Sequence, residues 1–137
     1  MRTKLFCILM SLFFLAAPGQ AQTLRNGSNS TIGRIESDGT VRNSSNAMIG
    51  KFESNGTIRN RNNSSVGRIE SNGTIRNGSN SMIGKIESDG TVRDGSNRII
   101  GKIENDGTVR DGSNRTIGSA RGVPKAWAAA AFFFRFF

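Results

Sequence analysis

Ile32-Gly33-Arg34-Ile35-Glu36-Ser37-Asp38-Gly39-Thr40-Val41-Arg42-Asn43-Ser44-Ser45-Asn46-Ala47-Met48 is one copy of a unit that returns at Ile49, Val66, Ile83 and Ile100, seventeen residues apart each time and without insertion. A half unit, Leu24-Arg25-Asn26-Gly27-Ser28-Asn29, precedes the array, and Ile117-Gly118 begins another. Self-similarity at a fixed period marks a repeat architecture, in which one copy cannot bury its apolar face alone. The array is therefore five full copies with a ragged half copy at each end.

Each copy holds two short β-prone runs separated by turn chemistry. Gly39, Gly56, Gly73, Gly90 and Gly107 each follow Asp or Asn, itself preceded by Ser or Asn. Such triplets suit a type I turn closed by a glycine in the left-handed region. A three-residue loop at Ser37-Asp38-Gly39 pairs Glu36 with Thr40 and Ile35 with Val41. That puts the apolar pair on one face, whereas a two-residue loop would pair Ile35 with Arg42 and waste the alternation. The inner face of a hairpin is then Gly33, Ile35 and Val41. A glycine inside a strand weakens it unless something approaches closely there, so the equivalents Gly50, Gly67, Gly84 and Gly101 predict a crowded centre. A second turn, typified by Asn77-Gly78-Ser79-Asn80, joins each hairpin to the next.

A lone hairpin is marginal in water, so the units must share a core, either stacked as an open β-solenoid or closed into a ring. The tail favours the ring. Ala126 to Phe137 is nearly all apolar, and its Ala-rich start after Pro124 predicts a short helix. Such a patch is rarely left in water and reads as a plug that completes the core. The expected fold is all-β, five hairpin repeats in a pseudo-five-fold ring with a helical C-terminal plug.

The ends set the compartment. Arg2 and Lys4 form a positive n-region, Leu5 to Ala17 an apolar h-region, and Gly19-Gln20-Ala21 a small-residue cleavage site, as in a secretory signal. A stretch of thirteen residues, apolar but for Ser11, falls short of the roughly 20 that span a bilayer. The expected organisation is a signal peptide over 1–21, the repeat domain over 22–122 and the tail over 123–137, with export to the periplasm or beyond. Cys7 is the only cysteine and lies in the signal. The exported part thus has neither disulfide nor thiolate chemistry, and with no histidine it lacks the commonest general base and metal ligand.

The Ile-Gly-Lys-Ile-Glu-Ser-Asp-Gly-Thr-Val-Arg units, followed by Arg121-Gly122-Val123-Pro124-Lys125-Ala126-Trp127 and a Phe-rich end, resemble the bacterial five-fold β-flower proteins from about Thr23 to Phe137. The resemblance implies a small exported protein with hairpin petals in pseudo-five-fold arrangement. It implies no established activity and no functional residues to carry over.

Catalysis needs convergent, differentiated groups, and here almost every polar residue exists in near-identical copies. Glu36, Glu53, Glu70, Glu87 and Glu104 each share a face with cations, as Glu36 does with Arg34 and Arg42, which reads as a salt-bridged surface. Asp38, Asn55, Asn72, Asp89 and Asp106 alternate acid with amide, which suits turns better than calcium. Nineteen Lys and Arg against 10 acids give a net +9, but the cations are spread among acids and the aromatics lie in the tail. Specific nucleic-acid binding is therefore not expected. Strands of four or five residues are too short for a membrane barrel, which needs about 10.

The expectation is an exported, non-enzymatic binding module with no cofactor, catalytic residue or metal site. Its ligand is expected to be glycan or another envelope component, met by repeated Asn/Ser/Gly loops carrying Asn43, Asn60, Asn77, Asp94, Asp111, Asn46, Asn80, Asn97 and Asn114. The alternative is a structural or assembly protein of the envelope with no small-molecule ligand.

Overall fold

A computed structural model describes residues 22–137; the signal peptide expected over 1–21, with Cys7, lies outside the described residues. The chain forms β1 (Thr23–Asn26), β2 (Thr31–Ile35), β3 (Thr40–Asn43), β4 (Met48–Phe52), β5 (Thr57–Asn60), β6 (Ser65–Ile69), β7 (Thr74–Asn77), β8 (Met82–Ile86), β9 (Thr91–Asp94), β10 (Ile99–Ile103), β11 (Thr108–Asp111), β12 (Thr116–Ala120) and a helix, α1 (Lys125–Phe133). Every strand pairs antiparallel with its sequence neighbours, and β1 pairs with β12 to close a barrel.

The hairpin register follows the alternation. Ile35 faces Val41 and Arg34 faces Arg42. Glu36 N–H donates to Thr40 O at 2.8 Å, Gly39 N–H to Glu36 O at 2.9 Å, and Thr40 N–H to the Asp38 Oδ1 at 3.0 Å. Gly39 has φ +94°, and a Cβ there would also run into the Phe52 carbonyl of the next unit. The Gly39 carbonyl itself accepts from Phe52 N–H at 2.8 Å, so each hairpin tip is stitched to the strand that follows.

Twelve strands make six pairs, where five full copies would make only five. The sixth is assembled from the half units: Gly118 faces Asn26, Ser119 faces Arg25 and Ala120 faces Leu24. This is the register of Gly33 with Asn43, Arg34 with Arg42 and Ile35 with Val41. The ragged halves are thus two parts of one hairpin cut open by the chain ends. The ring closes on six strand pairs, of which five are continuous in sequence, and an open solenoid is not formed.

Across each second turn the register slips by one. Val41 faces Gly50 but Arg42 faces Met48, leaving Ile49 as an extra residue, and the same shift recurs in every unit. Bulges of this kind bend a strand and increase its twist. Here they leave Ile49, Val66, Ile100 and Ile117 packed against the core beside the inward glycines.

The interior is filled by the tail. Ala128, Ala129 and Ala130 are fully buried; three successive helical residues point in three directions, so the wall surrounds α1 at that level. Small helix side chains lie where the wall is large (Ile35, Val41, Phe52, Ile58, Ile103). Beyond the helix the relation inverts, with large tail rings against a wall of glycine. A Cβ on Gly118, Gly101, Gly84, Gly67 or Gly50 would overlap the ring of Phe132, Phe133, Phe134, Phe136 or Phe137 respectively. Successive phenylalanines therefore dock on successive units around the ring. Trp127 stacks on Phe52 with centroids 5.3 Å apart, and Phe137 meets the same ring edge-on at 5.5 Å. Among the described residues no helix is long and apolar enough to cross a membrane.

Candidate functional site

Because the lumen is occupied by the chain's own tail, chemistry toward another molecule falls to the outer surface and the two rims. An up-and-down barrel sorts its turns by end. The five Asp/Asn-Gly tips lie on one rim, with the start of α1; the six Asn-containing loops lie on the other.

Each loop of the second rim is held by the same hydrogen bonds. In Asn77-Gly78-Ser79-Asn80-Ser81, the Asn77 Oδ1 accepts from Ser79 N–H and Ser81 N–H, both at 3.0 Å. Asn80 N–H donates to Asn77 O at 2.9 Å, and Asn80 takes φ +67°, a region that asparagine tolerates better than other side chains. Arg76 ties the loop to the wall: its Nη1 donates to Asn80 O at 3.1 Å while its Nε pairs with the Glu70 Oε2 at 2.9 Å. Carboxylate, guanidinium and loop carbonyl form one linked chain, repeated at Arg42, Arg59, Arg93 and Arg110. The expected salt-bridged face is therefore present. At Glu36 a hydrogen bond from Arg34, reinforced by Arg42, holds the carboxyl below its ordinary range.

The nine loop residues singled out in the sequence divide into two roles. Asn43, Asn60, Asn77, Asp94 and Asp111 open their loops, and each turns a side-chain oxygen back onto two backbone N–H groups. Those N–H donors, from Arg98 first for Asp94 and from Arg115 first for Asp111, depress the two carboxyl pKa values. Asn46, Asn80, Asn97 and Asn114 stand at the exposed left-handed tips, with φ 67° to 69°. The structure adds Asn29 and Asn63 in the same conformation (φ 65° and 66°) and Asn26 as the sixth loop opener. Counting seventeen in either direction from Asn46 reaches both missed tips. Neighbouring loops are two strands apart along the rim, roughly 10 Å at normal strand spacing.

On the opposite rim, shallow open recesses separate successive hairpin tips. One is lined by Asp38, Lys51, Glu53, Ser54 and Asn55, another by Asp89, Lys102, Glu104, Asn105 and Asp106. Each sets a cation between carboxylates. Asp38, Asp89 and Asp106 are held below the ordinary aspartate pKa chiefly by the backbone N–H of Thr40, Thr91 and Thr108. Among the described residues no group of three or more His, Cys, Asp or Glu side chains is placed to hold a metal ion.

Hairpins in a closed ring, a glycine tier and a phenylalanine plug cover the same residues as a known family. A family model described as the 5-fold beta-flower protein matches residues 21–137. The chain belongs to that family. No curated protein and no solved structure matches it. In this beta-flower protein the five continuous hairpins carry five Asp/Asn-Gly tips, while closure through β1 and β12 raises the opposite rim to six loops.

Proposed function

We propose that the protein is an exported, non-enzymatic binding module that presents the Asn-loop rim to glycan or another component of the cell envelope. The observation that carries this is repetition with fixed shape. Six loops on one rim share one backbone conformation, each locked by its own opening Asn or Asp and, through an arginine, by the wall. Rigid loops lose little entropy on binding, and weak equivalent sites gain through avidity when the ligand repeats at a matching spacing. Amides and hydroxyls at Asn29, Asn46, Ser79, Asn80 and Ser96 supply the donors and acceptors that a sugar hydroxyl needs.

A glycan array probed with the protein tests this directly, followed by titration of any hit against Asn80→Ala and Asn97→Ala. Binding that weakens in both variants supports the rim. No sugar bound at high micromolar protein would sink the glycan form of the proposal.

A second reading, an assembly protein of the envelope, draws on Met48, Met82 and Ile99. These are 45%, 47% and 56% exposed at the starts of β4, β8 and β10, next to the same rim. Light scattering across a concentration series checks it, with association expected to vanish in a Met48→Ser, Met82→Ser, Ile99→Thr variant, which borrows residues from β6 and β12.

A further inference from the structure

The tail has one residue that does not fit a plug. In Phe132-Phe133-Phe134-Arg135-Phe136-Phe137, five rings dock on five glycines, and Arg135 interrupts them with φ +51°. It is neither glycine nor asparagine, so that conformation is strained and persists only where the surroundings impose it. Here the docking of Phe134 on Gly84 and Phe136 on Gly67, on either side, imposes it.

The side chain has only one way out. α1 starts at the Asp/Asn-Gly rim, where the Lys125 Nζ donates to the Asn105 Oδ1 at 2.6 Å, and it fills the lumen behind the phenylalanines. The glycine tier sits toward the other rim, since Gly33 pairs with the loop opener Asn43. Arg135, exposed between two docked rings, therefore emerges within the mouth that the six Asn loops frame. Among the described residues it makes no ion pair, whereas Arg98 and Arg115 on the loops are matched at 3.6 Å with Asp94 and Asp111; Arg61, the other rim cation without an acid partner, stands on a loop of the ring and not in the mouth.

A guanidinium offers five donors in a fork that matches an oxyanion, and it cannot lose its charge. Around it lie amides and hydroxyls suited to sugar hydroxyls. We infer that Arg135 is the anchor of the rim, recognising a carboxylate or sulfate group carried on an acidic glycan. The inference rests on the proposed glycan-binding role of this rim and names the ligand's charge and the residue that reads it.

Calorimetric titration with three probes tests it: an oligogalacturonate, a heparin-derived hexasaccharide and neutral chitohexaose. The first carries carboxylates alone and the second also sulfates, so their ranking identifies the anion. Arg135→Gly relieves the backbone strain, so its melting temperature should equal or exceed that of the unmodified protein. Its affinity for the acidic probe should fall by about tenfold or more, the loss expected of a charge-assisted hydrogen-bond pair. Arg135→Asn, also tolerant of this backbone, should behave alike, and Arg135→Lys should recover part of the affinity. Arg121→Ser, which removes the same charge from the opposite rim, where Arg121 backs onto Gly107 just after β12, should change affinity by less than about twofold. Retention of binding in Arg135→Gly, equal loss in Arg121→Ser, or equal affinity for chitohexaose would overturn the inference while leaving glycan binding standing. Absence of binding to all three sugars would overturn both.

Discussion

Phe134 lies on Gly84 so closely that the ring takes the space of the missing Cβ. The relationship is repeated at five of the six strand pairs and explains why the tail is rich in phenylalanine; at the sixth, Gly33, the Arg42 carbonyl alone leaves no room for a Cβ. The wall gives up side-chain volume at the tier where the plug supplies it.

Enlarging the wall there should be damaging. Gly84→Val is expected to destabilise the protein by about 1–3 kcal/mol through overpacking, and Phe134→Ala by about 3–5 kcal/mol through the cavity it leaves. Gly84→Ala combined with Phe134→Ala should cost less than the sum of the two single changes, because the ring is one of the groups in the way. The rescue should stay partial, since the Arg93 carbonyl also crowds that site. Urea melts of the singles and the double variant measure the coupling.

Removing the plug is the severe case. A chain lacking Ala126 onward exposes the faces of Ile35, Ile58, Ile75 and Ile103, which are at most 1% exposed in the intact barrel. The expected outcome is loss of a cooperative thermal transition in far-ultraviolet circular dichroism, with self-association by light scattering. A truncated chain that melts cooperatively as a monomer would show that the wall holds itself up.

Arg76 couples wall to loop, and both it and Glu70 are about 30% exposed as side chains. Pairs this open contribute roughly 0.2–1 kcal/mol. Arg76→Met should therefore lower stability by no more than about 1 kcal/mol, yet it frees the Asn80 carbonyl. Hydrogen exchange is expected to rise in residues 77–81 and to stay unchanged in the loop at 43–47, which has its own Arg42.

The acid limb of stability has an identifiable source. Asp94 and Asp111 have pKa values lowered by backbone N–H donors that exist only in the folded loop. A lowered folded-state pKa stabilises the fold fully above the unfolded value, near 3.9, and the contribution disappears as pH falls through the folded value. The melting temperature should be level from about pH 5 upward and fall below about pH 4. Asp94→Asn with Asp111→Asn should flatten that fall, because Asn43, Asn60 and Asn77 already make the same bonds with a group that does not titrate. Part of the slope should remain, from Glu36, Asp38, Asp89 and Asp106.

Some of this architecture was legible in the residues alone. Strict alternation around Ser37-Asp38-Gly39 allows one hairpin register, and that register is observed. The bulge at Ile49 was not legible, because Met48-Ile49-Gly50 alternates as well with it as without it. The sixth strand pair was half legible. Leu24-Arg25-Asn26 and Ile117-Gly118-Ser119-Ala120 are complementary halves, but only long-range pairing shows that they meet. The crowded centre follows from strand glycines, whereas which phenylalanine meets which glycine depends on where the helix leaves the chain. At the rim, the loops were visible as composition. The division of their asparagines into openers turned inward and tips turned outward required the backbone, because the residue type is the same in both places.

Ring closure through β1 and β12 has a consequence for biogenesis. Leu24 and Ala120 face each other from opposite ends of the described chain, so single hairpins can pair as they emerge from the ribosome but the barrel cannot close before β12 has followed. A product stopped before Thr116 would display two open strand edges and an empty apolar interior, features that attract proteases and other unpaired edges. The fold thus carries its own test of completeness: only a chain translated through its final strand and tail can hide what quality control looks for.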